Sequence, residues 1–204
     1  MSRTLIVATH NAHKTGEIAA MLAGCFGEVV DLTAFPDLEP PEESGATFEA
    51  NARIKALAAS EAMPDAFVLA DDSGIEVDAL GGAPGVFSAR YAGEAATDAA
   101  NREKLLADLA AAGARGKART ARFRCVLVVA RDREVIALFD GAVEGVVANE
   151  ARGDGGFGYD PVFIPEGYCE TFGQLPPATK HALSHRGRAL EKLKAWLEKS
   201  GDPA

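Results

Sequence analysis

Thr4-Leu5-Ile6-Val7-Ala8-Thr9-His10-Asn11-Ala12-His13-Lys14 (TLIVATHNAHK) decides the fold class. Its first five residues are a short apolar run rich in β-branched side chains, the signature of a buried strand. A polar link follows from Thr9 to Lys14. Thr15 to Leu22 then repeats apolar residues at helical spacing, with Ile18, Met21 and Leu22 on one face. A strand that opens through a polar turn into a helix belongs to an α/β protein.

Outward from that start the alternation continues. Val29 and Val30 suit a second strand, and Ala34 to Gly45 is an acidic, proline-rich loop. Thr47-Phe48-Glu49-Ala50 reads as a helix start with Thr47 as N-cap. That helix is expected to reach about Ala62, with Ile54, Leu57 and Ala58 facing inward and Pro64 ending it. Phe67 to Ala70 is the next strand, placing Asp71-Asp72-Ser73-Gly74 at its carboxyl end, and Ile75 to Leu80 is a further short strand. Asp98 to Ala112 forms an alanine-rich helix with Leu105, Leu106 and Leu109 as its stripe. Arg119 to Ala130, Glu134 to Asp140 and Ala142 to Val147 read as consecutive antiparallel strands, with turns at Arg131-Asp132-Arg133 and Asp140-Gly141. Pro161 to Ile164 adds a short strand. His185 to Lys199 is an amphipathic helix burying Leu190, Leu193 and Leu197. The order predicts a mixed sheet flanked by helices, in one domain over residues 1–204.

The chain of 204 residues is 48% hydrophobic and 25% charged, enough for a full core without disulfides or structural metal. Cys25, Cys125 and Cys169 lie far apart with no CxxC spacing, which fits a reducing compartment. The chain shows neither a membrane-spanning apolar run nor a signal-peptide plan at its start, so a cytoplasmic location is expected. A net charge of −9 argues against general nucleic-acid binding. It leaves room for an anionic small molecule, because a phosphate site needs only a few local cations, backbone N–H groups and a divalent metal.

Five segments carry groups able to do chemistry. At Thr9 to Lys14 a helix N-terminus offers N–H groups and partial positive charge, Thr9 and Asn11 add donors, and Lys14 adds a full charge. The G-x-x-x-x-G-K-S/T pattern is absent, and simple helix capping is the plainer reading of these residues. Asp71 and Asp72 are adjacent carboxylates whose side chains point to opposite faces of a strand. One of them can ligate magnesium or orient an attacking water; an Asx-type turn with Gly74 at positive φ is an equal alternative. Glu42 and Glu43 form an acidic surface loop or contribute a further metal ligand. In Gly155-Gly156-Phe157-Gly158-Tyr159-Asp160-Pro161, glycines admit a ligand to the backbone and two aromatic rings offer stacking faces. Lys180, His185 and Arg186 are able to hold phosphate or base oxygens, or serve as ordinary helix-start residues.

Four longer blocks resolve these alternatives: ATHNAHK (Ala8 to Lys14), LADDSGIEVDALGGAPGVFSARYAG (Leu69 to Gly93), GGFGYDPVF (Gly155 to Phe163) and SHRGRAL (Ser184 to Leu190). With them the chain resembles the inosine/xanthosine triphosphate pyrophosphatases from Thr4 to about Leu193. The resemblance implies a two-lobed α/β fold with an elongated mixed sheet, a substrate cleft between lobes, a homodimer, and magnesium-dependent cleavage of non-standard purine nucleoside triphosphates to monophosphate and pyrophosphate. It implies that Thr9, His10, Asn11, Ala12, His13 and Lys14 hold the triphosphate. Asp72 would be the catalytic acidic residue and a magnesium ligand, with Asp71 beside it and Glu42 or Glu43 as a further ligand. Ser73, Phe157, Gly158, Tyr159, Asp160, Lys180, His185 and Arg186 would line the nucleotide pocket. His10 and His181 depart from the commonest family pattern, without removing a group the chemistry needs. A Maf-like pyrophosphatase acting on pyrimidine or methylated nucleotides and a non-catalytic nucleotide sensor are the alternatives.

Overall fold

A computed structural model describes residues 4–200. The single-domain expectation also covers residues 1–3 and 201–204, and the reading of the chain's start rests partly on residues 1–3; both stretches lie outside the described residues. The elements are β1 (Thr4–Val7), α1 (Ala12–Met21), β2 (Glu28–Asp31), α2 (Phe48–Ala62), β3 (Phe67–Val77), α3 (Asp98–Ala111), β4 (Thr120–Arg131), β5 (Glu134–Val147), β6 (Phe163–Pro165), α4 (Pro177–Leu183) and α5 (His185–Ser200). The sheet order is β2-β1-β3-β4-β5-β6. β1 runs parallel to β2 and β3, whereas β5 and β6 are antiparallel, so the sheet is mixed as expected.

The chain divides into two compact units, each assembled from separated segments. Among the described residues the first comprises 4–72, Cys125–Gly141 and 186–200. Its core joins Leu5 and Val7 of β1, Ile18 and Leu22 around α1, Leu69 of β3, Leu127 and Val129 of β4, and Leu190 and Leu193 of α5. The apolar spacing along α5 is what brings Leu190, Leu193 and Leu197 to this core. The second unit comprises Ser73–Arg124 and Ala142–His185. Leu105 and Leu109, one helical turn apart on α3, pack there with Ile75, Val77, Val143 and a cluster of Phe123, Phe163 and Phe172.

Four local expectations are corrected. β3 does not stop at Asp71: it runs unbroken through Asp71-Asp72-Ser73-Gly74 to Val77. Gly74 is therefore no turn residue. It is there for close approach, because a Cβ would lie 2.4 Å from Ser88 Oγ and 2.6 Å from the Gly85 carbonyl oxygen. β5 likewise passes straight through Asp140-Gly141, without the expected turn. On α2 the buried face is made by Ala52, Ala56 and Ala59, and Leu57 is exposed. Small residues hold that face because a closely packed helix has no room for larger ones. α1 starts at Ala12, directly after the Asn11 cap, and α4 is a helix the apolar pattern did not signal. The Arg131-Asp132-Arg133 turn is present, with Asp132 and Arg133 at φ 52° and 66°, the left-handed geometry of a tight hairpin.

Candidate active site

The first unit concentrates the ionised groups. Asn11 caps α1: its Oδ1 accepts from the N–H groups of His13 and Lys14 at 3.0 and 3.2 Å. Thr9 Oγ1 accepts from the Asn11 N–H at 3.1 Å, which fixes the turn leading into the helix. The capping geometry and the anion-binding character of a helix start are both present, since capping uses only some of the first-turn donors. His10, Ala12 and His13 are exposed along the same turn, while Lys14 is half-buried and reaches back to Asp71, 2.6 Å from Oδ1.

Asp71 is the hub. Its side chain is fully buried and receives Lys14, the Arg186 Nε at 2.9 Å and Nη2 at 3.3 Å, and the Cys125 thiol at 3.1 Å. Burial pushes its pKa up, but Arg186 and Lys14 outweigh that and hold the carboxyl well below the usual range. Arg186 is equally enclosed and also donates to Glu17 of α1 at 2.6 Å. Burial works against its charge, yet Asp71 and Glu17 raise its pKa overall. Burial and the neighbouring Asp71 charge push the Cys125 thiol well up, so it stays protonated and donates. Asp71 and Arg186 thus form a buried ion pair between β3 and α5, 115 residues apart in sequence.

Asp72, the next residue on β3, turns to a different partner. Its Oδ1 lies 2.6 Å from Lys55 Nζ on α2, and Lys55 also donates to the Asp71 carbonyl at 2.9 Å. Glu43 approaches the same ammonium at 3.3 Å, whereas Glu42 is exposed. Burial raises the pKa of Asp72 against the opposing pull of Lys55. For Lys55, burial pulls downward but Asp72 and Glu43 win, and its net shift is upward. Asp72 Oδ2 is buried and has no hydrogen-bond partner among the described residues. An ionised oxygen left in that state costs free energy unless a cation or water meets it, so the residues fit a divalent cation. Among the described residues no three histidine, cysteine or carboxylate side chains converge as a metal cage.

The second unit holds the other set. Phe157 is half-buried, and Lys180 Nζ stands 4.9 Å from its ring centroid. Lys180 also pairs with Asp160 Oδ2 at 2.7 Å, both side chains being buried. The same carboxylate accepts the Phe157 N–H at 2.8 Å, so one oxygen fixes the loop backbone and the cation over the ring. Gly156, at φ 71°, is required there because a Cβ would lie 2.2 Å from that oxygen. Tyr159 is in the core with its hydroxyl donating to the Ser88 carbonyl at 2.8 Å, so Phe157 is the aromatic left at the surface. His185 is buried and stacked on Phe123, with centroids 4.7 Å apart and planes 9° from parallel. Ser73 is half-buried on β3.

The structure therefore gathers Thr9, Asn11, Lys14, Asp71, Asp72, Glu43 and Arg186 in the first unit, and Phe157, Gly158, Tyr159, Asp160, Lys180 and His185 in the second. Arg186 belongs to the ionic cluster with Asp71, where its guanidinium is occupied, and Glu42 is exposed. Lys55 was missed by sequence reading. The signal was available: Asn51, Lys55 and Ala59 fall at four-residue intervals on α2, and a lysine on the buried stripe of a helix needs a carboxylate to meet it. Glu17 was missed because nothing local marks it; its partner is 169 residues away.

The first unit thus pairs two buried carboxylates, Asp71 and Asp72, with three cations, Lys14, Lys55 and Arg186, in a mixed α/β fold. The chain belongs to the Ham1 family, whose pattern matches residues 5–196. It is 49% identical over 195 residues to a dITP/XTP pyrophosphatase of Desulforamulus reducens, covering 96% of each chain. A dITP/XTP pyrophosphatase of Bacillus subtilis is 46% identical over 193 residues, with 95% of this chain and 96% of that protein covered. Among solved structures, a HAM1 protein from Coxiella burnetii superposes with a TM-score of 0.86 at 40% identity, covering 97% of this chain and 99% of the other.

Proposed function

We propose that this protein hydrolyses inosine, deoxyinosine and xanthosine triphosphates to the monophosphate and pyrophosphate, as a magnesium-dependent cytoplasmic homodimer that cleanses the nucleotide pool. The observation that carries the reaction is Asp72, a buried carboxylate with one oxygen on Lys55 and the other without a hydrogen-bond partner among the described residues. Near full-length similarity to relatives named dITP/XTP pyrophosphatase supports the substrate class.

The chain's own groups divide the work. The α1 N-terminus with Thr9, Asn11 and Lys14 holds phosphate oxygens. Asp72 orients and deprotonates the water that attacks the α-phosphorus, and pyrophosphate leaves. Lys55 opposes the burial that raises the Asp72 pKa and adds positive charge beside the reacting group. Asp71 takes no part in bond making; Lys14 and Arg186 saturate it, and its role is to hold Lys14 in place. Asp72 and Glu43 would hold the magnesium ion, which when bound offsets charge on the phosphate oxygens. Base recognition falls to Phe157, Lys180 and the backbone around Gly158. Donors aimed at O6 and acceptors at N1–H of hypoxanthine or xanthine would go unmatched against adenine, each mismatch costing about 1–3 kcal/mol.

The test is pyrophosphate release with magnesium from inosine, xanthosine, adenosine, guanosine and thymidine triphosphates, repeated with a chelator. Preference for the first two by about a hundredfold, abolished by chelation, is expected. Equal rates on all five, or full activity in the chelator, would overturn the reading.

A further inference from the structure

Gly158 sits between Phe157 and Tyr159 at φ 58°, a left-handed conformation that glycine enters and leaves easily. Yet both of its peptide groups are gripped. Its N–H donates to Asp98 Oδ2 at 2.7 Å, and its carbonyl accepts from Arg102 Nη1, also at 2.7 Å. Asp98 and Arg102 are four residues apart on α3 and so share one helix face. Thr97 Oγ1 caps that helix by accepting the Ala100 N–H at 3.2 Å, which places Asp98 in its first turn. On either side of Gly158, Asp160 holds the Phe157 N–H and Ser88 holds the Tyr159 hydroxyl. Three separate anchors thus fix a segment that its glycines would otherwise leave mobile.

We infer that Asp98 and Arg102 are positioning residues for base recognition: by locking both torsions of Gly158 they set where the Phe157 ring stands, and so which purine is accepted. This rests on the assignment of Phe157 to the base given above. Neither side chain needs to touch the nucleotide. Holding a recognition ring in its bound position before the ligand arrives removes an ordering cost from binding, and its loss weakens binding rather than chemistry. The grip of Arg102 is the stronger, since it is half-buried while Asp98 is exposed to water.

Steady-state kinetics on inosine and guanosine triphosphates tests this with Arg102→Met, Asp98→Ala, the double variant, Arg102→Lys and Phe157→Ala, each checked for folding by its melting curve. Arg102→Met is expected to raise KM for inosine triphosphate about tenfold, as loss of a charge-assisted hydrogen bond would, and to erode the preference over guanosine triphosphate. Its kcat should stay within about twofold, because a positioning loss acts on binding. Asp98→Ala should show a smaller change of the same kind, Arg102→Lys a partial recovery, and the double variant less than the product of the two singles. A raised KM in Phe157→Ala beside unchanged KM and selectivity in Arg102→Met and the double variant would sink this inference alone. A fall in kcat with KM unchanged would also sink it. An unchanged KM in Phe157→Ala would instead remove the base-binding assignment beneath it. Should Arg102→Met fail to fold, Arg102→Lys, which keeps charge and reach, carries the same comparison.

Discussion

Replacing Arg186 by Met removes the guanidinium and keeps much of its bulk. The carboxylate it leaves is Asp71, whose side chain is 0% exposed, so water does not repair the loss. Breaking one side of a buried pair costs about 3–5 kcal/mol. Lys14 remains 2.6 Å from the same carboxylate, which places the expected loss near the lower bound, about 3 kcal/mol. Glu17 loses its partner too and adds in the same direction. For a chain of this length that corresponds to a fall in melting temperature of about 6–12 °C. The pH dependence gives a sharper check. In the native protein the Asp71 pKa is depressed, so its contribution is intact above the unfolded carboxylate value and is lost only as pH falls through the lower folded value. Without Arg186, only Lys14 opposes burial, so the folded pKa of Asp71 lies higher than in the native protein. The folded variant then takes up its proton at a higher pH than the native protein does, and its deficit shrinks as pH falls through that range. Thermal unfolding followed by circular dichroism at pH 8 and at about pH 4, near the unfolded carboxylate value, should therefore show a gap between variant and native protein that narrows at the lower pH. A melting temperature within about 2 °C of native at pH 8, or a gap that does not narrow, would refute the assignment of Arg186 as the counter-ion of Asp71.

The remaining expectations concern the neighbours of that pair. Asp72→Asn should lower turnover on inosine triphosphate by at least about a hundredfold while equilibrium dialysis still detects nucleotide binding; near-native turnover would dismiss Asp72 as the base. Lys55→Met removes the cation that opposes burial at Asp72, so the acid limb of the pH–rate profile should move to higher pH; an unmoved limb would break the link between the two. Gly74→Ala drives a methyl group into the Gly85 carbonyl and Ser88, and should cost more than about 2 kcal/mol in urea unfolding. Adding Ser88→Ala should not restore stability, because the backbone oxygen stays where it is.

The elements legible in the sequence were those set by local rules. Thr47 announced the start of α2, the leucines of α3 and α5 announced their buried faces, and the β-branched run at Leu5 to Val7 announced a buried strand. What stayed hidden depended on partners far along the chain. Gly74 reads as a turn glycine until Ser88 is seen against it, so the continuity of β3 could not be inferred from its own residues. Leu57 looked buried because it is large and apolar, but it falls on the exposed side of α2, away from the buried Ala52, Ala56 and Ala59. At the candidate site, residue types were legible and pairings were not. Asp71 and Asp72 look equivalent in sequence, and their pKa shifts are opposite because burial is overcome by Arg186 and Lys14 at Asp71 but not by Lys55 at Asp72. The same distance in sequence concealed Glu17 and the hold of α3 on Gly158.

The ion pair between Asp71 and Arg186 has a consequence for how the protein is made. A ribosome delivers the chain from its N-terminus, and every segment of the second unit has been synthesised before Arg186 emerges. The first unit waits for that residue and the helix behind it, because its core needs Leu190 and Leu193 and its Asp71 pairs with Arg186. Until then Asp71 has Lys14 but not the guanidinium, in a half-built core. A chain that ends before Arg186 therefore lacks both the guanidinium on Asp71 and the leucines that complete the first core.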